Sequence, residues 1–131
     1  MDIFALIEND RFAREAGCRL VSCGNGEAVV EVELQERHLN GVGTAQGGLI
    51  FTLADTAFAA AANEGGQQTV SLSAAVSFLR APRAGTLRAH AMTVSRGRST
   101  CCIDVTVTDG EGRTVAKVQC SGFSREGRPE P

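Results

Sequence analysis

Residues 49–62 read LIFTLADTAFAAAA, and no other stretch constrains the fold as much. Its composition strongly favours helix, and Asn63 with Gly65 and Gly66 supplies the stop signal. A helix of about fourteen residues that is apolar nearly all round cannot lie on a surface. It has to be enclosed. The rest of the chain must supply the enclosure.

Four strand-like runs follow this helix: Thr69–Leu79, Thr86–Ser95, Thr100–Thr108 and Thr114–Ser124. They are separated by turn signals at Pro82–Gly85, Arg96–Arg98 and Asp109-Gly110-Glu111-Gly112. Ahead of the helix, Leu20–Ser22 and Ala28–Leu34 alternate around Gly24–Gly26, with Val30, Val32 and Leu34 on one face and Glu31 and Glu33 on the other. That pattern predicts a hairpin. Asp2–Ala16 shows one helical face (Ile3, Phe4, Leu6, Ile7, Phe12, Ala16) ending at Gly17, and Gln35–Gly48 is loop-like. Consecutive strands with short turns predict an antiparallel sheet. The expected class is α+β, a curved antiparallel sheet wrapped around one long central helix. One helix cannot cover both faces of such a sheet, so a partner subunit is expected.

The 131 residues suit a single domain, with 127–131 read as a frayed tail. Apolar residues make up 43% and charged residues 21%, an ordinary globular composition. With six Phe and no Trp or Tyr, the chain lacks a base-stacking platform, and a net charge of −2 argues against a general polyanion binder. No nucleic-acid partner is expected. The distribution of charge is more informative. Residues 1–79 carry four Arg and ten carboxylates; residues 80–131 carry eight Arg, Lys117 and five carboxylates. Arg80, Arg83, Arg88, Arg96 and Arg98 are close in sequence, which fits either a solvated edge or a patch for a phosphate-bearing ligand.

No apolar run reaches the roughly 20 residues of a membrane helix, and no leader-like segment opens the chain. Membrane association is not expected. Cys18, Cys23, Cys101, Cys102 and Cys120 are odd in number and lack paired spacing, so they read as reduced thiols of a cytoplasmic protein. Cys101 and Cys102, adjacent on a strand, point to opposite faces, and neither His38 nor His90 has a set of ligands at metal-binding spacing. No metal is expected. His38 reads as structural, His90 as a surface or cross-strand contact.

The chemistry concentrates in His38-Leu39-Asn40-Gly41, Gln46-Gly47-Gly48 and Leu53-Ala54-Asp55. A Gly pair before a helix permits close backbone approach to a terminus that presents unpaired N–H groups and partial positive charge. It can hold a phosphate or a developing oxyanion, or simply form a tight turn. Asp55 lies among Phe51, Leu53, Ala54, Ala57, Phe58 and Ala59. A carboxylate there either caps a loop or pairs an Arg, or it is a base or nucleophile with a raised pKa. Gly48 and Asp55 are two turns apart, about 10 Å along the axis, whereas reacting groups must approach to about 3–3.5 Å. Two antiparallel helices across a dimer would bring one N-terminus to the other's Asp55.

HLNGVGTAQGGLIFTLADTAFAAAAN resembles the signature of hotdog-fold acyl-CoA thioesterases of the phenylacetic-acid-degradation (PaaI-type) group. The resemblance continues through SFLRAP (Ser77–Pro82) and GRTVAKVQCSGF (Gly112–Phe123), covering nearly the whole chain. It implies a hotdog fold, a homodimer usually doubled to a homotetramer, and hydrolysis of an acyl-CoA thioester. No cofactor is implied, since coenzyme A is part of the substrate. By resemblance, Asp55 matches the carboxylate that activates water or attacks directly. Gly47 matches the glycine whose N–H polarises the carbonyl, with Gly48 beside it on the substrate side. Asn40 matches a loop asparagine that positions substrate or water, and Ser71 or Ser73 a serine that orients the water in some relatives. Arg80, Arg83, Arg96 and Arg98 would meet the coenzyme A phosphates. Gln46 departs from the pattern, which commonly has His there. Gln can donate to a carbonyl but cannot titrate near neutrality, so activity survives if that position only polarises and is altered if it moves protons. Phe51, Phe58, Phe78 and small Ala positions suit an aromatic or medium-length acyl group. The leading reading is an acyl-CoA thioesterase. A non-catalytic acyl-CoA-binding or sensing module comes second. A hydratase, which would need a catalytic His near an acidic partner, comes third.

Overall fold

The computed structural model describes residues 2–83 and 85–125; the tail read as frayed, Gly127–Pro131, lies outside them. The enclosed helix is present as α3, Gly47–Asn63, with ten buried residues. The N-terminal segment forms two short helices, α1 (Ile3–Glu8) and α2 (Arg11–Ala16), rather than one. Asp10 causes the break: its Oδ1 accepts from the Ala13 N–H at 3.0 Å and starts a new helix, as Asp2 starts α1 through Ala5. Strands β1 (Arg19–Gly24) and β2 (Glu27–Glu33) form the expected hairpin. Asn25 and Gly26 turn it, at φ 57° and 78°, the positive pair that matches strand twist.

The remaining strands are β3 (Thr69–Phe78), β4 (Thr86–Arg96), β5 (Thr100–Thr108) and β6 (Thr114–Ser124). All six make one antiparallel sheet in the order β1-β2-β4-β5-β6-β3. The last four strands are therefore not a simple meander. β3 pairs with β6 at one edge and the chain then crosses to pair β4 with β2. The segment that leaves β3 at residues 79–83 makes that crossover, passing the ends of β6 and β5 over three strand spacings, about 14 Å. Pro82 and Gly85 signal an interruption, but they do not say which neighbour the next strand takes. Bulges at Leu20/Ser22, Ser71/Ser73 and Thr93/Ser95 bend the sheet around the helix.

Alternation places Val30, Val32, Leu87, Ala89, Ala91, Ile103, Val105, Val107, Ala116, Val118 and Cys120 in the core with Leu53, Ala54, Ala57 and Phe58 of α3. Phe58 is 2% exposed, so it is a core residue and not the wall of an acyl pocket. Gly122 leaves space for it: a Cβ there would lie 2.9 Å from Phe58 Cζ.

Candidate active site

Helix α3 begins two residues before the expected start. Gln46 is its N-cap, and the side-chain Oε1 accepts from the Gly48 N–H. The Gly pair is thus the first turn of the helix and not a linker before it. Among the described residues the Gly47 N–H has no acceptor. The Phe78 ring stands over Gly47, with Cζ 3.3 Å from where a Cβ would sit. These residues open on a cleft of about 320 Å³ lined by Thr44, Ala45, Gly47, Ile50 and the 78–82 segment, Arg80 included. A free helix-terminal N–H at the floor of an apolar-walled cleft can donate to a carbonyl oxygen or an anion.

Asp55 is half-buried on the side of α3 that the sheet leaves open, in a stripe with Gly48, Thr52 and Ala59. It neither caps a loop nor pairs an Arg, and its carboxylate has no hydrogen-bond partner among the described residues. Burial raises its pKa from the ordinary carboxylate value, and the charge of Asp10 at the start of α2 raises it further. Asp10 carried no signal in the sequence, because only the α2–α3 packing brings the two carboxylates together. Burial pushes the Cys18 and Cys120 thiols up to about 11 and raises Cys23 as well, which makes these three poor nucleophiles near neutrality.

The other expected residues divide. Asn40 holds its own loop: Oδ1 accepts from the Val42 and Thr44 N–H groups at 3.0 and 3.1 Å, and Nδ2 donates to Thr44 Oγ1 at 3.2 Å. The bulge separates the two serines. Ser71 pairs with Gly122 on the helix side, whereas Ser73 faces outward and bonds Ser121 Oγ at 3.1 Å. The arginines do not form one patch. Arg80 lines the cleft and donates to the Thr114 carbonyl, and Arg83 pairs with Glu111 at 2.9 Å. Arg88 pairs with Glu31 across the β2–β4 ladder at 2.5 Å. Arg96 donates to the Ala62 carbonyl at 3.0 Å, capping the far end of α3 about 22 Å from Gly47. Arg98 follows β4 at that same end. Proximity in sequence misled here because an eleven-residue strand lies between the two groups.

His38 is structural. Its Nδ1 accepts from the Gln35 N–H at 3.0 Å and its Nε2 lies 2.7 Å from the Ala16 carbonyl, which fixes a neutral ring protonated at Nε2. His90 meets Glu27 at 2.8 Å across strands.

A family model described as the thioesterase superfamily matches residues 42–116, from the Asn40 loop through α3 to the start of β6. The chain belongs to the thioesterase superfamily. Among similar proteins, the acyl-coenzyme A thioesterase PaaI of Escherichia coli is 38% identical over 113 residues, 86% of this chain and 81% of that protein. The solved structure of E. coli PaaI aligns at a TM-score of 0.89 and 35% identity, covering 94% of this chain and 90% of that one. A Streptococcus mutans protein solved bound to acetyl CoA aligns at 0.81 and 32% identity, covering 87% and 92%. This thioesterase has the hotdog fold and is a thioester hydrolase, with α3 at the centre of the sheet.

Proposed function

We propose that this thioesterase hydrolyses the thioester of a small aryl- or acyl-CoA, phenylacetyl-CoA-like, to the free acid and coenzyme A. The observation that carries the reading is the pairing of a free Gly47 N–H in the cleft with an unpartnered, pKa-raised Asp55 on the same open side of α3. The acetyl-CoA-bound relative supports the substrate class. In the proposed reaction the carbonyl oxygen accepts from Gly47 N–H, aided by the side-chain amide of Gln46. Asp55 takes a proton from water as the hydroxyl adds to the carbonyl carbon. Collapse of the intermediate breaks the C–S bond, and coenzyme A leaves as a thiolate that takes up a proton. Attack by the carboxylate itself, through an anhydride that water then opens, uses the same residues. In this reading Ser71, on the helix side, orients the water, and Arg80 and Arg83 take the coenzyme A phosphates.

Gly47 and Asp55 of one chain are too far apart to serve one carbonyl, so the site is completed by Asp55 of the partner subunit. A homodimer is therefore the working unit. The free edge of β3 supports this: it exposes Val70, Leu72 and Phe78 and, among the described residues, has no further strand beside it. Val70, Met92 and Phe123, exposed on the outer face of the sheet, support doubling to a tetramer. No helix among the described residues is long and apolar enough to cross a membrane, and five free thiols support a cytoplasmic setting.

Thiol release is measured with phenylacetyl-, benzoyl-, hydroxyphenylacetyl- and straight-chain acyl-CoAs, with Asp55→Ala alongside. Turnover that disappears in the variant is expected; full activity in the variant refutes the mechanism. Gln46, which cannot titrate, favours a second reading as an acyl-CoA-binding module. Tight binding without turnover, with activity gained in Gln46→His, would establish it.

A further inference from the structure

Resting on the proposed coenzyme A chemistry, we infer that Asp109 is a positioning residue for substrate binding, clasping the crossover segment that forms one wall of the cleft. Asp109 lies in the β5–β6 turn, outside the cleft, yet its side chain is fully enclosed. Four hydrogen bonds converge on it. Oδ1 accepts from the Glu111 and Arg113 N–H groups, both at 3.0 Å. Oδ2 accepts from Arg113 Nε at 3.0 Å and from the Arg83 N–H at 3.2 Å, and the Arg113 Nη2 lies 2.9 Å away in an ion pair.

A hairpin needs only the local bonds. The last one reaches out of the turn to the crossover, and it is not isolated. Arg113 Nη2 also donates to the Ala81 carbonyl at 3.1 Å, Arg80 donates to the Thr114 carbonyl, and the Leu79 N–H donates to the Val115 carbonyl at 2.8 Å. Gly85 leaves the crossover at φ 125° with its Cβ position 3.4 Å from Gly110 Cα, so the segment lies directly on the turn. Leu79, Arg80, Ala81 and Pro82 line the cleft on their other side. The carboxylate thus holds the backbone that carries Arg80 along the cleft wall and Arg83 beside it, the two side chains assigned to the coenzyme A phosphates under the proposed function. It touches neither the substrate nor Gly47 and Asp55, so its loss should weaken binding and leave the chemical step in place.

The test uses the whole chain with Asp109→Asn, which sets an amide donor against the N–H groups that one carboxylate oxygen now accepts, and with Arg113→Gln, which removes the bridge to Ala81 from a partly exposed position. Steady-state kinetics give KM and kcat; calorimetric titration with coenzyme A itself gives affinity without turnover. The expected result is a roughly tenfold rise in KM and a matching loss of coenzyme A affinity, the worth of one charge-assisted hydrogen bond, with kcat within about twofold. A purely structural turn residue would lower Tm and leave KM unchanged, and that result overturns the assignment, as does a fall in kcat at constant KM. If Asp109→Asn does not fold, Arg113→Gln decides alone by the same criteria. A wild-type chain that neither turns over nor binds coenzyme A refutes the proposed function and this inference with it; wild-type turnover with unaltered variants refutes the inference alone.

Discussion

Gly122→Ala is the sharpest test of how tightly the sheet is closed on α3. The new methyl would lie 2.8 Å from Thr69 Cγ2, 2.9 Å from Phe58 Cζ and 3.1 Å from Cys101 Sγ. Carbon–carbon contact is comfortable at about 3.5–4.0 Å, so two neighbours must each move by roughly 0.6–1 Å. Neither is free to do so. Thr69 is fixed through Oγ1 to the Ala62 carbonyl at 3.1 Å and to Ser124 Oγ at 2.8 Å, and through its N–H to Asn63 Oδ1 at 2.7 Å. Phe58 is enclosed on all sides. Overpacking of this kind costs about 1–3 kcal/mol, and three contacts at once place it in the upper half of that range. The reduced freedom of the unfolded chain returns about 0.4–1 kcal/mol, leaving a net loss of about 1–2.5 kcal/mol. For a chain of this length that lowers Tm by roughly 4–10 °C. Thermal unfolding is followed by circular dichroism at matched protein concentration, since association shifts Tm by mass action. Phe58→Leu in the Gly122→Ala background should be less damaging than the sum of the two single changes, because both act on one space. An unchanged Tm for Gly122→Ala, or strict additivity, would show that the packing reasoning is wrong.

Asp55→Asn should reduce turnover by about 10²–10⁴-fold with the mass in solution unchanged by light scattering; because the folded pKa is raised, wild-type activity should fall as pH drops through that raised value. Asp10→Asn removes the second cause of the rise, so its acid limb should move to lower pH, and an unmoved limb in a full pH–rate profile would contradict the coupling. Arg96→Ala should cost about 1 kcal/mol through the lost cap on Ala62 and leave KM for acyl-CoA unchanged; a raised KM would return Arg96 to the binding site. The hydrogen bonds from Arg83, Arg113 and Glu111 outweigh the desolvation that raises the Asp109 pKa and bring it down to about 2. Its stabilising contribution is therefore complete above 3.8, the unfolded value, and is lost as pH falls from there toward 2. The stability gap between wild type and Asp109→Asn in denaturant titrations should close over that window.

The central helix and the hairpin were legible because each rests on a local signal: an all-round apolar run, and Asn25-Gly26 at a turn that demands positive φ. Strand extents were legible for the same reason, since alternation survives whatever the partner. The crossover was not, because strand order depends on which edge is free, and nothing within residues 79–85 encodes that. Asp55 stood out as one carboxylate in an apolar helix, but its lack of a partner among the described residues and its closeness to Asp10 emerge only when α2 packs on α3. Gln46 was read as a possible donor to a substrate carbonyl. Its cap to the Gly48 N–H shows that the oxygen is already engaged, leaving the amide nitrogen for that role. Ser71 and Ser73, identical in type and two apart, end on opposite faces because one bulge residue intervenes.

β3 spells TVSLSAAVSF and contains no charged residue and no proline. Edges that must stay single in water usually carry such residues to repel a second strand; this one is undefended over its whole length. If the proposed dimer covers it, the chain before association is adhesive to any extended segment it meets, and assembly and aggregation compete for the same surface. Placing a lysine at an outward position such as Ala75 should trade the one hazard for the other, giving a protein that stays dispersed but no longer associates through this strand.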